Sequence, residues 1–194
     1  MELLAGVFSA FGLSASAGLN AYIPLLVVAL LARFTDLLEL SPPWDALTNN
    51  WIIGLLVVLL VIEFFADKVP AVNHANDLIQ TFVRPVAGAI LFAGSAQVIT
   101  DISPILSLAA GLFVAGGVHA VKSTAIRPTV SVATAGAGNI PVSIMEDLVS
   151  TVISFLSILI PILLMVLAVL IGLWIFFILR RRRKKVYVTN NLDE

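Results

Sequence analysis

The sequence predicts an all-α protein, a polytopic transmembrane helical bundle of about six spans, and three observations carry that expectation. Residues are 60% hydrophobic and only 12% charged, against about 25% charged in soluble domains. Mean hydropathy is +1.07. Apolar runs long enough to enter a bilayer alternate with short polar connections, and at ~20 residues per span the 194 residues hold roughly five to seven passes. Residues 1–180 form a single integral membrane domain, and residues 181–194 a basic and then polar cytoplasmic tail. Met1-Glu2-Leu3-Leu4 lacks the basic start of a cleavable signal, so the first apolar run is read as part of the mature protein. Cysteine is absent, which excludes disulfides, haem attachment and thiolate metal sites.

Leu3 to Arg33 is apolar but interrupted by Ser14-Ala15-Ser16-Ala17-Gly18-Leu19-Asn20 and by Pro24. A broken helix with Asn20 near the break is expected, counted as one pass. Gly12, Ser16 and Asn20, four apart, form a narrow stripe where another helix approaches closely. Thr35 to Asn50 holds three acids, no Lys or Arg, and Trp44, which suits the outer face. Trp51 to Asp67 then runs inward. A polar hairpin loop follows to Arg84, bearing Lys68, Asp77 and Arg84, and Val86 to Ile99 returns outward to a turn at Thr100–Pro104.

Ile105 to Val121 comes back in, delivering Lys122 and Arg127 to the cytoplasmic side. Pro128 to Pro141, with two glycines and an asparagine in the six residues ending at Asn139, reads either as a second broken span or as a re-entrant loop. Ser143-Ile144-Met145-Glu146 matches a capping box and so a helix start. Ile144 to Leu179 would be one kinked helix or a hairpin turning at Pro161. Arg180 to Lys185, six consecutive basic residues, must stay inside. The scheme that satisfies these signals has both termini cytoplasmic. A weak internal repeat pairs Glu63…Asp67-Lys68…Arg84-Pro85 with His119…Lys122…Arg127-Pro128, and the break at Asn20 with that at Asn139.

Glu63 and Asp67 are four apart and face the same way on an inward helix end. Ionisable groups at depth are costly, so Glu63 in particular points to an ion or proton pathway, or with Asp67 and Asp77 to a divalent metal. An interfacial charge network accounts for the same residues structurally. His119 ends a stripe of Ser107, Gly111 and Ala115 and reads as a relay or as a packed, hydrogen-bonded histidine. Glu146 is explained by capping and Asp147 by the helix dipole. The pathway candidates are therefore Asn20, Glu63, Asp67, Lys68, Asp77, Arg84, His119, Lys122, Arg127 and Asn139.

No phosphate-cradling Gly-Lys-Ser loop, His-Glu-x-x-His helix or serine elbow is present, so the sequence leans against an enzyme and gives no cofactor. The expected partners are the bilayer, anionic headgroups at Arg180 to Lys185, and an unidentified ion or small solute. A homo-oligomer is compatible with the sequence; nucleic acid is excluded by a basic cluster that abuts a span.

At Glu63-Phe64-Phe65-Ala66-Asp67-Lys68-Val69-Pro70, Asp77, Arg84-Pro85 and Gly88 the chain resembles the family of small bacterial membrane proteins known as domain of unknown function 4126. The likeness continues through Gly18-Leu19-Asn20-Ala21-Tyr22-Ile23-Pro24, His119, Lys122, Arg127, Asn139, Ser143 and Glu146-Asp147. Asn73 departs from the acid associated with that position, which weakens a metal site in the loop. The resemblance implies a multi-pass protein of the bacterial inner membrane and brings no substrate with it. From the residues themselves, three functions stay open: a small transporter or channel, a non-catalytic scaffold or assembly factor, and a metal-dependent lipid-phosphate binding protein or enzyme.

Overall fold

The structure, a computed structural model, describes residues 2–67, 70–96 and 103–190. Within them the chain is helical: α1 (Glu2–Leu19), α2 (Tyr22–Phe34), a 3-10 turn (Trp44–Thr48), α3 (Asn50–Ala66), α4 (Pro70–Ala96), α5 (Pro104–Val121), a π turn (Lys122–Ile126), α6 (Arg127–Thr134) and α7 (Asn139–Asn190). Asn76–Ser95, Pro104–Thr134 and Asn139–Pro161 are long and apolar enough to cross a membrane, and Gly6–Leu19, Tyr22–Phe34 and Asn50–Ala66 are shorter apolar helices.

α1 is the central helix. It packs on α4, α5 and α7, and its small residues let those helices come close. A side chain at Gly12 would strike Ser157 of α7, and one at Gly18 would strike Ala115 and Val118 of α5. α4 and α5 meet equally tightly at Gly88 and Gly111, where an added methyl would run into Ala115 or into the Gly88 carbonyl. With lipid outside rather than water, such close backbone approach supplies the packing energy that holds helices together. The expected α5 stripe of Ser107, Gly111, Ala115 and His119 is its buried edge.

Hydroxyl groups stitch the same seams. Ser14 donates to the Gly88 carbonyl at 2.8 Å and Ser9 to that of Ser157 at 2.6 Å. Ser16 lies 2.8 Å from both Ser150 and Ser154.

Outward faces are apolar. Of the seventeen residues of α3 only Leu56 and Glu63 are buried, while Val58, Val61, Ile62 and Phe65 are exposed. A helix that turns its hydrocarbon outward has lipid, not water, as its neighbour.

Five expectations are corrected. The break at Asn20 is real, but it reverses the chain instead of kinking one pass. α1 runs from Phe11 against Phe92, through Ser14 at Gly88, to Leu19 at Lys122. α2 then leaves the Leu60–Phe65 level at Ile23 and reaches the 3-10 turn, where Arg33 bonds the Thr48 carbonyl. The beginning of α1 therefore lies at the end of the bundle that carries the Thr35–Asn49 loop.

The polar stretch before Arg84 is not a hairpin loop: Pro70 to Arg84 are the first turns of α4. Lys122 to Arg127 is not a hairpin either, since α5, the π turn and α6 form one rod to Thr134. That removes the hairpin correspondence on which half of the internal repeat rested. Finally, Pro128 to Thr134 neither spans separately nor re-enters, and the turn Ala135–Gly138 leads into α7. Its reversal needs left-handed backbone at Ala135 (φ 50°) and Gly136 (φ 88°), and the glycine takes that conformation without strain. α7 is continuous through Pro161 and begins at Asn139, so Ser143-Glu146 is helix interior and not a cap. The expected turn at Thr100–Pro104 lies mostly outside the described residues.

Candidate functional site

The helix directions bring the polar groups to one end of the bundle. α1 ends there, α2 starts there, α3 ends there, and the first turns of α4, the π turn and the first turns of α7 surround them. Asn20 turns the corner between α1 and α2. Its side-chain oxygen accepts from the backbone N–H groups of Tyr22 and Ile23 at 3.0 and 3.1 Å, capping α2, while its amide nitrogen donates to Asp147 of α7 at 2.9 Å.

Arg84 is wholly buried. Its Nη2 donates to Glu63 Oε1 at 2.8 Å and its Nη1 to His119 Nδ1 at 3.1 Å. A guanidinium has only donors, so Nδ1 of His119 must be the acceptor and the ring proton sits on Nε2. That nitrogen faces Thr81 Oγ1 at 3.2 Å, and Thr81 in turn donates to the Asp77 carbonyl at 2.8 Å. In this arrangement His119 is the neutral Nε2–H tautomer, fixed by Arg84.

Arg127 gathers the second group. Its Nη2 lies 2.6 Å from Asp67 Oδ2 and 3.1 Å from Glu146 Oε2, and its Nη1 lies 3.1 Å from Asp77 Oδ1. Asp67 is completed by Asn76 at 2.7 Å and Ser143 at 3.3 Å. Just beyond the end of α3, burial would raise the Asp67 carboxyl, but Arg127, with Lys122 and Arg84 behind it, overcomes this and holds it below the usual carboxylate range. Lys122 closes the network: Nζ reaches Glu146 Oε2 at 2.8 Å and the Leu19 carbonyl, at the open end of α1, also at 2.8 Å. Lys122 and Arg127, five apart, are the buried residues of the π turn and of α6, and the wider π step sets both on the inward side of the rod.

Of the ten pathway candidates, Asn20, Glu63, Asp67, Asp77, Arg84, His119, Lys122 and Arg127 share this network. Asn139 does not; it exchanges hydrogen bonds with Ser131 across the Ala135–Gly138 turn. Lys68 lies outside the described residues. Glu63, Asp67 and Asp77 each face a guanidinium instead of one another, and among the described residues no three acidic or histidine side chains converge as metal ligands.

Participants outside the candidate set include Glu146, Asn76, Thr81 and Ser143. Glu146 is an ion-pair partner and not a capping residue. Asn76, Gln80 and Arg84 are spaced four apart on the buried side of α4. Ser143, Ser150, Ser154 and Ser157 form a polar stripe along α7 at helical spacing, and that periodicity was present in the sequence.

A model of the family described as domain of unknown function (DUF4126) matches residues 7–181. The chain belongs to this family. No curated protein matches it, and no solved structure does. The match takes in every described member of the DUF4126 chain's ion-pair network, from Glu63 on α3 to Glu146 on α7, and the Asn20–Asp147 hydrogen bond beside it. It also takes in α7 as far as residue 181.

Beside the network, a groove of about 300 Å³ opens between α2, α3 and α7, lined by Ile23, Leu60, Val61, Phe64, Phe65 and Asp147. In this DUF4126 protein the groove brings apolar walls to within one carboxylate of the buried charges. Some buried polar atoms near the network have no hydrogen-bond partner among the described residues: Glu63 Oε2, Gln80 Oε1, Arg84 Nε and Glu146 Oε1.

Proposed function

We propose that the protein is a small transporter or channel of the bacterial inner membrane, moving an ion or small solute past the ionisable network. The observation that carries this reading is the burial of Glu63 and His119, each bonded to buried Arg84, at the point where α1 stops, α2 starts and α3 ends. Charges inside a bilayer are expensive, and helix ends inside one expose backbone groups; both are tolerated where they line a path or are paired. A bundle that needed only to pack would be served better by apolar side chains, since replacing a buried ion pair with hydrocarbon is often neutral or stabilising.

The network end is assigned to the cytoplasm, because Lys68, Lys122 and Arg127 lie in that part of the chain and the Thr35–Asn50 connection at the other end is acidic. Because α7 starts at the network end and passes the start of α1 at Ser157 without interruption, Arg180–Lys185 lies beyond the opposite end of the bundle and not on the side assigned to the cytoplasm; it would meet anionic headgroups there. A lipid-phosphate enzyme would need cations free to meet phosphate. Arg84, Lys122 and Arg127 are instead each turned onto a carboxylate.

The test is flux of ions and small solutes into proteoliposomes of purified protein, comparing wild type with Glu63→Gln across a pH gradient. Flux in wild type that is lost in the folded variant supports the reading. Impermeable vesicles with both proteins, across cations, anions and small neutral solutes, would remove it.

A further inference from the structure

The α3 helix is attached to the bundle in an unusual way. Its outward surface is hydrocarbon, it buries only Leu56 and Glu63, and its last turn is held by two ionic contacts, Glu63 to Arg84 and Asp67 to Arg127. At its N-terminal end Arg33 of α2 bonds the Thr48 carbonyl just before the helix, and partly buried Ile52, Ile53, Leu59 and Leu60 pack against the core along its length. So α3 is packed on the bundle along its length, and its inner end is tied down by charge as well.

Glu63 is half satisfied. Oε1 takes a hydrogen bond from Arg84, whereas Oε2 is buried with no donor, and one turn from Arg84 on the same face of α4 the side-chain oxygen of Gln80 is buried without a donor too. A proton on Oε2 removes an acceptor that lacks a donor. Neutralising Glu63 also leaves the wholly buried Arg84 with the neutral His119 as its remaining hydrogen-bonded partner. A buried guanidinium without a counter-charge is among the least tolerable arrangements in a protein, so the contact that pins α3 becomes the one it is favourable to break.

We propose that the coupling ion of this protein is the proton, taken up from bulk water at Oε2 of Glu63, and that its arrival breaks the Glu63–Arg84 contact, one of the two ionic ties at the inner end of α3, and widens the groove between α2, α3 and α7. The proposal rests on the transport reading for its purpose but not for its test. The pair Glu63–Arg84 goes from neutral to a single positive charge, and the proton leaves again when Arg84 returns. The groups that face Glu63 are Arg84 from α4, Tyr22 from α2, Asp67 from the end of α3 and Lys122 from the π turn; His119 of α5 acts on it through Arg84. Asp67 is saturated by Arg127, Asn76 and Ser143. Of the two carboxylates on α3, Glu63 is therefore the one with room for a proton.

The experiment uses the absence of native cysteine. Spin labels at Val58→Cys on α3 and Phe113→Cys on α5, both lipid-facing positions, report the α3–α5 distance in full-length protein in nanodiscs from neutral to acid pH. One distance at neutral pH, joined by a second and longer one as the pH falls, is the expected result. Glu63→Gln should show the longer population at neutral pH and no pH response, while Glu63→Asp keeps a response with a shifted midpoint. An unchanged distance in wild type across the pH range would overturn the proposal, and so would a response that persists in Glu63→Gln. If Glu63→Gln does not fold, infrared difference spectra of wild type against Glu63→Asp decide: a protonated-carboxyl band that appears on acidification and moves with the side chain supports it, and no such band overturns it. A proton response without solute flux would remove the transport reading and keep the latch; flux indifferent to pH would do the reverse.

Discussion

Arg127 Nη2 lies 2.6 Å from Asp67 Oδ2, joining the end of α3 to the first turn of α6 across sixty residues of chain. The pair is buried on both sides, and the same guanidinium also serves Glu146 and Asp77. Removing Arg127 would leave three carboxylates competing for the remaining cations. Arg127→Gln should therefore destabilise the folded protein by roughly 3–5 kcal/mol, the cost of breaking a buried pair from one side. Arg127→Lys should recover only part of it, since an ammonium lacks the planar fork that reaches two residues at once. Thermal unfolding in detergent, followed by loss of monodisperse protein, measures both.

The same pair predicts a pH dependence. Asp67 has a folded pKa held below its unfolded value, so its contribution is complete above the unfolded value of about 4. It fades as the pH falls through the folded value, because the unfolded chain binds the proton first. Stability should thus drop on acidification below about pH 4, and Asp67→Asn should be less stable at neutral pH with a flatter acid limb. A wild-type acid limb that is unchanged in Asp67→Asn would show that the pair does not carry this dependence.

Much of this site was legible in the sequence, and the misses share one cause. Glu63, Asp67, Arg84, His119, Lys122 and Arg127 stood out because charge in apolar sequence has few uses. The α5 stripe ending at His119 was legible because small residues four apart in an apolar helix have one obvious role. What failed was the use of polarity as a measure of depth. Asn76, Gln80 and Arg84 were assigned to a loop because the stretch is polar, although their spacing of four is that of one helix face; the helix is polar there because the bundle interior is polar there. Ser143 and Glu146 match a capping box by residue type, but that pattern does not distinguish a helix start from a helix interior whose polar side faces Lys122 and Arg127. The reversal at Asn20 needed tertiary contacts. A residue that caps the next helix looks the same in sequence whether the chain kinks or turns back.

Gly88 and Gly111 set how closely α4 and α5 cross. A methyl at Gly88 would strike Ala115, and one at Gly111 would strike the Gly88 carbonyl, with Phe92 and Ala89 also in the way. Neither obstacle is a flexible side-chain end, so the helices must separate. Gly88→Ala or Gly111→Ala should cost about 1–3 kcal/mol as overpacking. Gly54 and Gly117 have open space around them, and the same substitution there should change stability little. A set of four single variants compared by thermal unfolding gives the contrast directly; equal effects at all four would mean that the α4–α5 crossing is not what the glycines serve.

The chain reversal at Asn20 makes a prediction about sidedness that the single-pass reading does not. If α1 runs toward the ion-pair network and α2 away from it, the N-terminus and the Thr35–Asn50 connection emerge on the same side of the membrane, and the Ala135–Gly138 turn on the other. Asp36 and Ala137 are both exposed, and no native cysteine interferes. Single cysteines placed ahead of Glu2, at Asp36 and at Ala137 can therefore be tested in intact cells with a membrane-impermeant maleimide. The first two should label alike, and Ala137→Cys should label only after permeabilisation if the network faces the cytoplasm. Labelling of the N-terminal cysteine together with Ala137→Cys, and apart from Asp36→Cys, would restore a single crossing for residues 3–33 and require α1 and α2 to continue in one direction. That result would also separate Asn20 from its bond to Asp147, because the bond depends on both helices meeting α7 at the same level.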